Sequence, residues 1–203
     1  EREYLSFYIS GHPLQEVAVA VSSFSTLNLA RLDPEKSGQV IRLCGLLTDV
    51  RTKLDKRENM FAITKVEQFS GSAECILWSE KYKQFRDILV PDTVVVMIGK
   101  CEINGDAAKV IVDEVLTLEQ AEKKFTKGYV ICIRPENVTD EQLTKLKERC
   151  NSSSAEDDIT FIVMRPDGRR QYHSMVKIAA NRETTAFLSE TFGENNVVIE
   201  TER

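Results

Sequence analysis

The 203-residue sequence contains no apolar run approaching the roughly 20 residues that a helix needs to cross a bilayer, which excludes a helical membrane protein. It has no Cys-x-x-Cys pair, and its two histidines, His12 and His173, stand far apart, so zinc-site spacing is missing. His12 sits in Gly11-His12-Pro13 without an acidic or cysteine neighbour and reads as a turn histidine. The five cysteines, Cys44, Cys75, Cys101, Cys132 and Cys150, are odd in number and widely spaced; buried, reduced thiols are expected. The opening Glu1-Arg2-Glu3 carries no signal-peptide pattern, so a cytoplasmic protein is expected. Carboxylates are plentiful but unclustered. Asp113-Glu114 and Asp157-Asp158 are neighbours along the chain, where side chains diverge, and neither suggests a two-metal centre. No phosphate-loop spacing surrounds Asp167-Gly168. The expectation is a chain without catalytic residues, bound metal or cofactor.

Positive charge is also short. The net charge is −5, which argues against a protein that clamps duplex DNA by bulk electrostatics. Residues 39–118 carry 11 Lys/Arg against 12 Asp/Glu, so that stretch is nearly neutral. Within it, however, Arg51, Lys53, Lys56 and Arg57 face only Asp55, a local excess of cations in one short segment.

That stretch reads as five strands and one helix. The strands are expected at residues 39–54, 59–68, 72–78, 93–103 and 107–118, with a helix over 80–89. Ile41, Leu43 and Leu47 share one strand face with Gly45, a residue suited to a sharp bend. Gly71 in Phe69-Ser70-Gly71-Ser72 and Gly105 in Asn104-Gly105 mark hairpin turns. Ser79 is the expected cap of the helix, whose Tyr82, Phe85 and Leu89 form an apolar stripe able to plug a barrel end. This order fits a five-stranded Greek-key barrel of the oligonucleotide-binding type, the OB-fold. Residues 1–38 read as a leader packing on the barrel and residues 119–124 as a polar linker or short helix. Residues 125–203 form a smaller β-α-β-β-α-β domain, expected to be ferredoxin-like. Its strands are expected at 129–134, 158–165, 171–178 and 196–201. A capping box, Thr139-Asp140-Glu141-Gln142, starts its first helix, which should bury Leu143, Leu146 and Cys150. Pro166-Asp167-Gly168 turns the central hairpin, and Gly193 ends a helix over 182–192.

The segment Leu5-Ser6-Phe7-Tyr8-Ile9-Ser10-Gly11-His12-Pro13-Leu14 resembles "LGFYLSGHPL" of the alpha subunit of bacterial DNA polymerase III. Val40 to Val50 resembles that family's first barrel strand, "VRVAGLVTDV", and Met60 to Trp78 its "MAFxTLEDxTGxIEVxVF" block. Phe187 to Ile199 resembles its C-terminal "xLLxxLGxxNVxL". The sequence departs at Val66-Glu67-Gln68, where the family has Leu-Glu-Asp, at Asp55-Lys56-Arg57-Glu58 in place of Lys-Lys-Gly-Lys, and at Trp78 in place of Phe. The resemblance implies the non-catalytic C-terminal part of a replicative polymerase, without palm, fingers or PHP regions. It further implies an OB domain that contacts single-stranded DNA and a tail that docks the clamp-loader tau subunit and the sliding clamp. As a fragment the chain is expected to be monomeric.

The residues expected to line a nucleic-acid groove are Arg42, Arg51, Lys53, Lys56, Arg57, Phe61, Lys65, Phe69, Lys100 and Lys109. Aromatics stack on bases while cations follow the backbone. Trp78 is a weaker candidate beside Phe61 and Phe69; each aromatic also fits a core position. Two other readings compete: a protein-interaction module that never touches DNA, and an anticodon-binding domain of the aminoacyl-tRNA synthetase kind. The Gly-His-Pro leader and the missing class II catalytic sequence count against the latter.

Overall fold

The computed structural model describes Leu14, residues 17–152 and residues 156–202. The Gly11-His12-Pro13 turn and most of the Leu5-to-Leu14 motif lie outside the described residues. The chain divides into two compact units. Phe24–Leu118 falls in the first; Glu119–Arg203 and Ala18–Ser23 fall in the second. The leader is therefore not a single piece belonging to the barrel. Its helix is α1, Ala18–Phe24, and most of it belongs with the tail unit.

The first unit contains β1 (Val40–Leu54), β2 (Met60–Gln68), β3 (Gly71–Leu77), α2 (Ser79–Phe85), β4 (Thr93–Asn104) and β5 (Ala107–Thr117). They close in the order β1-β2-β3-β5-β4, with β3 and β5 parallel and the other pairs antiparallel. A closed barrel of this order with its helix between β3 and β4 is an OB-fold.

Strand β1 makes closure possible by serving two neighbours. Its first half, Val40 to Leu47, pairs with β4, and its second half, Leu46 to Leu54, pairs with β2 across a bulge between Leu47 and Asp49. A bulge sharpens the twist that a barrel corner requires. At Gly45 a Cβ would lie 2.5 Å from the Glu67 carbonyl oxygen, so the backbones approach too closely for any side chain. Gly99 is tighter still: at the β4 bulge a Cβ would lie 2.0 Å from the Ile111 carbonyl oxygen.

Alternate residues fill the barrel. Ala62 and Val66 of β2, and Ala73, Cys75 and Leu77 of β3, point inward against Leu43, Leu47, Met97 and Val110. Each large aliphatic side chain so buried contributes roughly 1.5–3 kcal/mol relative to exposure. Thr64 is also buried, and its hydroxyl donates to the Cys75 carbonyl at 3.3 Å. Leu27 and Leu29 close the end of the barrel marked by the β2–β3 turn, where Gln68 ties the approaching chain down. Its amide donates to Ser25 Oγ at 2.9 Å and Cys44 O at 3.1 Å, while its oxygen accepts from Leu29 N at 3.0 Å. Helix α2 packs Tyr82 and Phe85, followed by Ile88 and Leu89, against the same core. Ser79 is its first residue rather than its cap; Trp78 holds the cap position without a side-chain bond.

In the second unit the segment expected as a linker or short helix is a helix, α3 (Leu118–Phe125), with Ala121 buried and Lys123 bonded to Glu119 at 2.7 Å. There follow β6 (Thr126–Ile133), α4 (Asp140–Ser152), β7 (Asp158–Arg165), β8 (Gly168–His173), α5 (Arg182–Phe192) and β9 (Val197–Thr201). The β-α-β-β-α-β order is as expected, but the sheet runs β8-β7-β6-β9, with β6 and β7 adjacent and parallel. A ferredoxin-like unit would split that pair with a strand, so this topology is different. Gly128 allows the close contact: a Cβ there would lie 2.2 Å from the Asp158 carbonyl oxygen.

The capping box forms on α4, with Thr139 N donating to Gln142 Oε1 at 2.9 Å and Gln142 N to Thr139 Oγ1 at 3.3 Å. Leu146 and Cys150 are buried on that helix, whereas Leu143, in its first turn, is 42% exposed. Strand β8 begins earlier than expected, at Gly168, since the two-residue turn Pro166-Asp167 pairs Arg165 with Gly168. Ile178 joins only through an isolated bridge to Asp157. Asn181 caps α5 by accepting from Thr184 N at 2.9 Å, and Gly193, at φ 90°, ends it. Tyr129 anchors α5 to the sheet, its hydroxyl 2.8 Å from Thr185 Oγ1 and 3.2 Å from Asn181 O. Burial pushes that phenol up to about 12. All five cysteines are free thiols, four of them buried and Cys132 half-buried.

Candidate nucleic-acid interface

The outer face of β1, β2 and β3 is set by strand parity. Residues of β2 with odd numbers, Phe61, Ile63, Lys65 and Glu67, alternate with the inward set. Glu74 and Ile76 share that face on β3, and so does Trp78 at its end. The register then builds rows. Lys53 stands opposite Phe61, Arg51 opposite Ile63 and Asp49 opposite Lys65. Ile63 is opposite Ile76, which lies beside Ile111; Lys65 is opposite Glu74, which lies beside Lys109.

Three different surfaces result. The row nearest the β1–β2 turn holds Lys53 and an aromatic pair: the Phe61 and Trp78 rings lie 5.2 Å apart with planes tilted by 37°. Trp78 is 49% exposed, so its ring is available as well as packed. The middle row is aliphatic, with Ile63, Ile76 and Ile111 behind Arg51. The third row alternates in sign, Asp49, Lys65, Glu74 and Lys109. Its cations are spent locally: Lys109 pairs with Glu74 at 3.4 Å, and Lys65 with Glu67 at 2.7 Å. Exposed pairs of this kind add roughly 0–1 kcal/mol to stability, but they cancel the field that a phosphate would meet.

The β1–β2 turn carries the remaining cations. Its shape comes from Asp55, whose carboxylate accepts from Arg57 N at 2.7 Å and Asn59 N at 2.9 Å. Those bonds, that of Asn59 foremost, hold the Asp55 carboxyl below the usual carboxylate value. Glu58 takes the left-handed conformation at φ 62° to complete the turn. Lys53, Lys56 and Arg57 have no carboxylate within 4.0 Å among the described residues, whereas Arg51 is bonded to Asp49 at 2.7 Å.

Of the expected set, Arg51, Lys53 and Phe61 thus share one face, with Lys56 and Arg57 on the adjoining turn. Lys65 and Lys109 lie on that face within the neutral row. Phe69 does not join them: at the β2–β3 turn it is eight residues from Phe61, about 26 Å along a strand rising about 3.3 Å per residue. Arg42 pairs with Ile98 and Lys100 with Val40, placing both on the wall formed by β1 and β4. Arg42 is half-buried there, and burial lowers its guanidinium from the ordinary value. Trp78 was missing from the expected set. Its parity with Glu74 and Ile76, opposite to Ala73, Cys75 and Leu77, was the signal that places it outward.

Among the described residues no three His, Cys, Asp or Glu side chains gather as a metal site, and no helix is long and apolar enough to cross a membrane. No family model matches the chain. It is 30% identical over 163 residues to DNA polymerase III subunit alpha of Borreliella burgdorferi, covering 79% of this chain and 14% of that protein. It is 24% identical over 151 residues to the same subunit of Escherichia coli K12, covering 73% of this chain and 13% of that protein. A mitochondrial single-stranded DNA binding protein of S. cerevisiae superposes on 39% of this chain and 93% of its own at TM-score 0.33 and 8% identity. The chain is a relative of the bacterial DNA polymerase III alpha subunit, and the matched segments span 13% to 14% of the length of those two subunits.

Proposed function

We propose that this chain is a non-catalytic C-terminal portion of a replicative DNA polymerase alpha subunit whose barrel binds single-stranded template DNA. The observation that carries the reading is the pair of half-buried Phe61 and exposed Trp78, with Lys53 directly across from Phe61. Two bases stack on the rings while Lys53, Lys56 and Arg57 follow the phosphates and Arg51 stays with Asp49; each stacked base contributes roughly 1–3 kcal/mol. Phe69, Arg42 and Lys100 stand apart from this track. The near neutrality of residues 39–118 favours single strands over duplex, because duplex binding draws on many more cation–phosphate contacts. The tail unit docks replisome partners, the clamp-loader tau subunit and the sliding clamp. No polymerase or nuclease activity is expected, and primer extension with magnesium checks that directly.

Trp78 is the single tryptophan of the sequence, so its fluorescence reports the site without a label. Titration with oligo(dT) at low salt should quench it, and Phe61→Ala should weaken the interaction. Absence of quenching at any salt would remove the stacking model.

One observation favours a second reading. Leu54 and Met60, paired across the turn on the face opposite to Phe61, are 62% and 45% exposed and offer a small apolar patch to a protein partner. A partner bound there would resist added salt, whereas a nucleic acid would be released.

A further inference from the structure

The tail unit carries a second surface whose chemistry differs from that of the barrel. Strands β6 and β7 are parallel, so their C-terminal ends open on the same side of the sheet. There the structure holds a cavity of about 420 Å³ walled by Cys132, Ile133, Val138, Met164 and Phe192, with Arg134 at its mouth. Three amide side chains also line it, Asn137, Gln142 and Asn196. Gln142 Nε2 donates to Thr191 O at 2.6 Å and Asn196 Nδ2 to Phe192 O at 2.8 Å. The cavity thus offers a visitor apolar side chains, one guanidinium and amide groups that keep hydrogen-bonding capacity, since a primary amide carries two N–H donors.

Arg134 does not stand alone. Ile133 lies beside Val163; one residue further Arg134 follows the end of β6, while Met164, still in β7, is paired with Arg169 of β8. Arg165 follows at the turn. Arg134, Arg165 and Arg169 have no carboxylate within 4.0 Å among the described residues, while Arg170 is held by Asp167 at 3.0 Å. Three unneutralised guanidinium groups thus gather at one corner of a chain whose net charge is −5.

Strand β8 adjoins this corner and ends the sheet. All six of its residues are exposed, and among the described residues it pairs with β7 alone. An edge of this kind is a template for a further strand. Its arginines guard it against self-pairing, since two copies would bring like charges together; an acidic strand meets no such barrier.

We propose that the free edge of β8 and the adjoining cavity form a docking site for an extended acidic peptide, with an apolar side chain in the cavity and carboxylates on Arg134, Arg165 and Arg169. Main-chain bonds supply affinity, and the cavity and arginines supply selectivity. A nucleic acid fits less well, because the edge of β8 offers a row of main-chain donors and acceptors that another peptide strand matches and a phosphodiester backbone does not. This inference concerns the tail unit and is independent of the single-strand reading of the barrel.

The test probes the full chain with arrays of short peptides in which Asp or Glu alternates with Leu, Val or Phe. Control arrays replace the acids by Asn and Gln, or the apolar residues by Ser. The acidic apolar set should be retained and both controls lost. Binding of the best peptide should weaken about tenfold or more in Arg134→Glu with Arg169→Glu, while circular dichroism stays unchanged. Amide hydrogen exchange should show new protection along β8 when that peptide is added. Equal retention of the control peptides, indifference to the charge reversals, or protection elsewhere would each overturn the proposal. Oligo(dT) binding that maps to Arg134 and Arg169 would also overturn it, making the corner an extension of a nucleic-acid track.

Discussion

Replacing Lys53, Lys56 and Arg57 together with Gln isolates the electrostatic part of the barrel's interaction with DNA. None of the three side chains has a carboxylate partner among the described residues, and the only bond that Arg57 makes in the turn comes from its backbone N–H, which Gln keeps. Asp55 continues to shape the turn, so the fold should be retained. Each phosphate neutralised on a single strand contributes about 0.7 to the slope of log affinity against log salt, so three contacts amount to about 2. The triple variant should therefore lose about a hundredfold less affinity than the parent across a tenfold rise in salt. The assay is quenching of Trp78 by oligo(dT) at several salt concentrations, with the slopes compared. Arg42→Gln with Lys100→Gln serves as the control. Those residues lie on the β1–β4 wall and should leave the slope unchanged. If the triple variant keeps the parental slope, or the control lowers it as much, the turn does not carry the phosphate track.

Phe61→Ala should weaken oligo(dT) binding by roughly 1–3 kcal/mol, the range for one lost stacked base, with the salt slope unaltered; Phe69→Ala should change neither quantity. Asp55→Asn should lower the thermal midpoint near neutral pH. The folded Asp55 carboxyl is depressed, so its contribution is present above the unfolded carboxylate value and disappears as pH falls through the folded one; the difference from the parent should vanish in acid. Tyr129→Phe should cost about 1 kcal/mol in urea unfolding, since Asn181 O and Thr185 Oγ1 lose a buried partner. The raised Tyr129 phenol makes that stability complete below the unfolded value and progressively lost as pH rises toward about 12. Gly99→Ala should destabilise by about 1–3 kcal/mol or more, because its Cβ would meet the Ile111 backbone rather than a movable side chain.

The barrel was legible in the sequence because each of its strands carries its own signal. Alternation in Ile41-Leu43, a glycine at the bend and an Asn-Gly turn are local patterns, and local patterns survive without knowledge of the partner strand. The capping box of α4 and the Gly193 stop were legible for the same reason. Strand order in the tail was not: β-α-β-β-α-β is compatible with either an adjacent or a split parallel pair, and the choice rests on which backbones can approach, as Gly128 and Asp158 do. Nor did polarity alone separate a linker from α3, whose helical state includes the burial of Ala121.

The candidate site divides in the same way. Composition alone determined that the chain is nearly neutral over its barrel and that cations concentrate between Arg51 and Arg57. Parity within one strand places Phe61 and Trp78 outward. What only the tertiary structure decided is which of these meet. Register sets Lys53 across from Phe61 and Trp78 against its ring, assigns Arg51 to Asp49 and Lys109 to Glu74, and carries Arg42 and Lys100 to another wall. Register belongs to pairs of strands, and a one-residue slip would turn every one of these side chains to the opposite face.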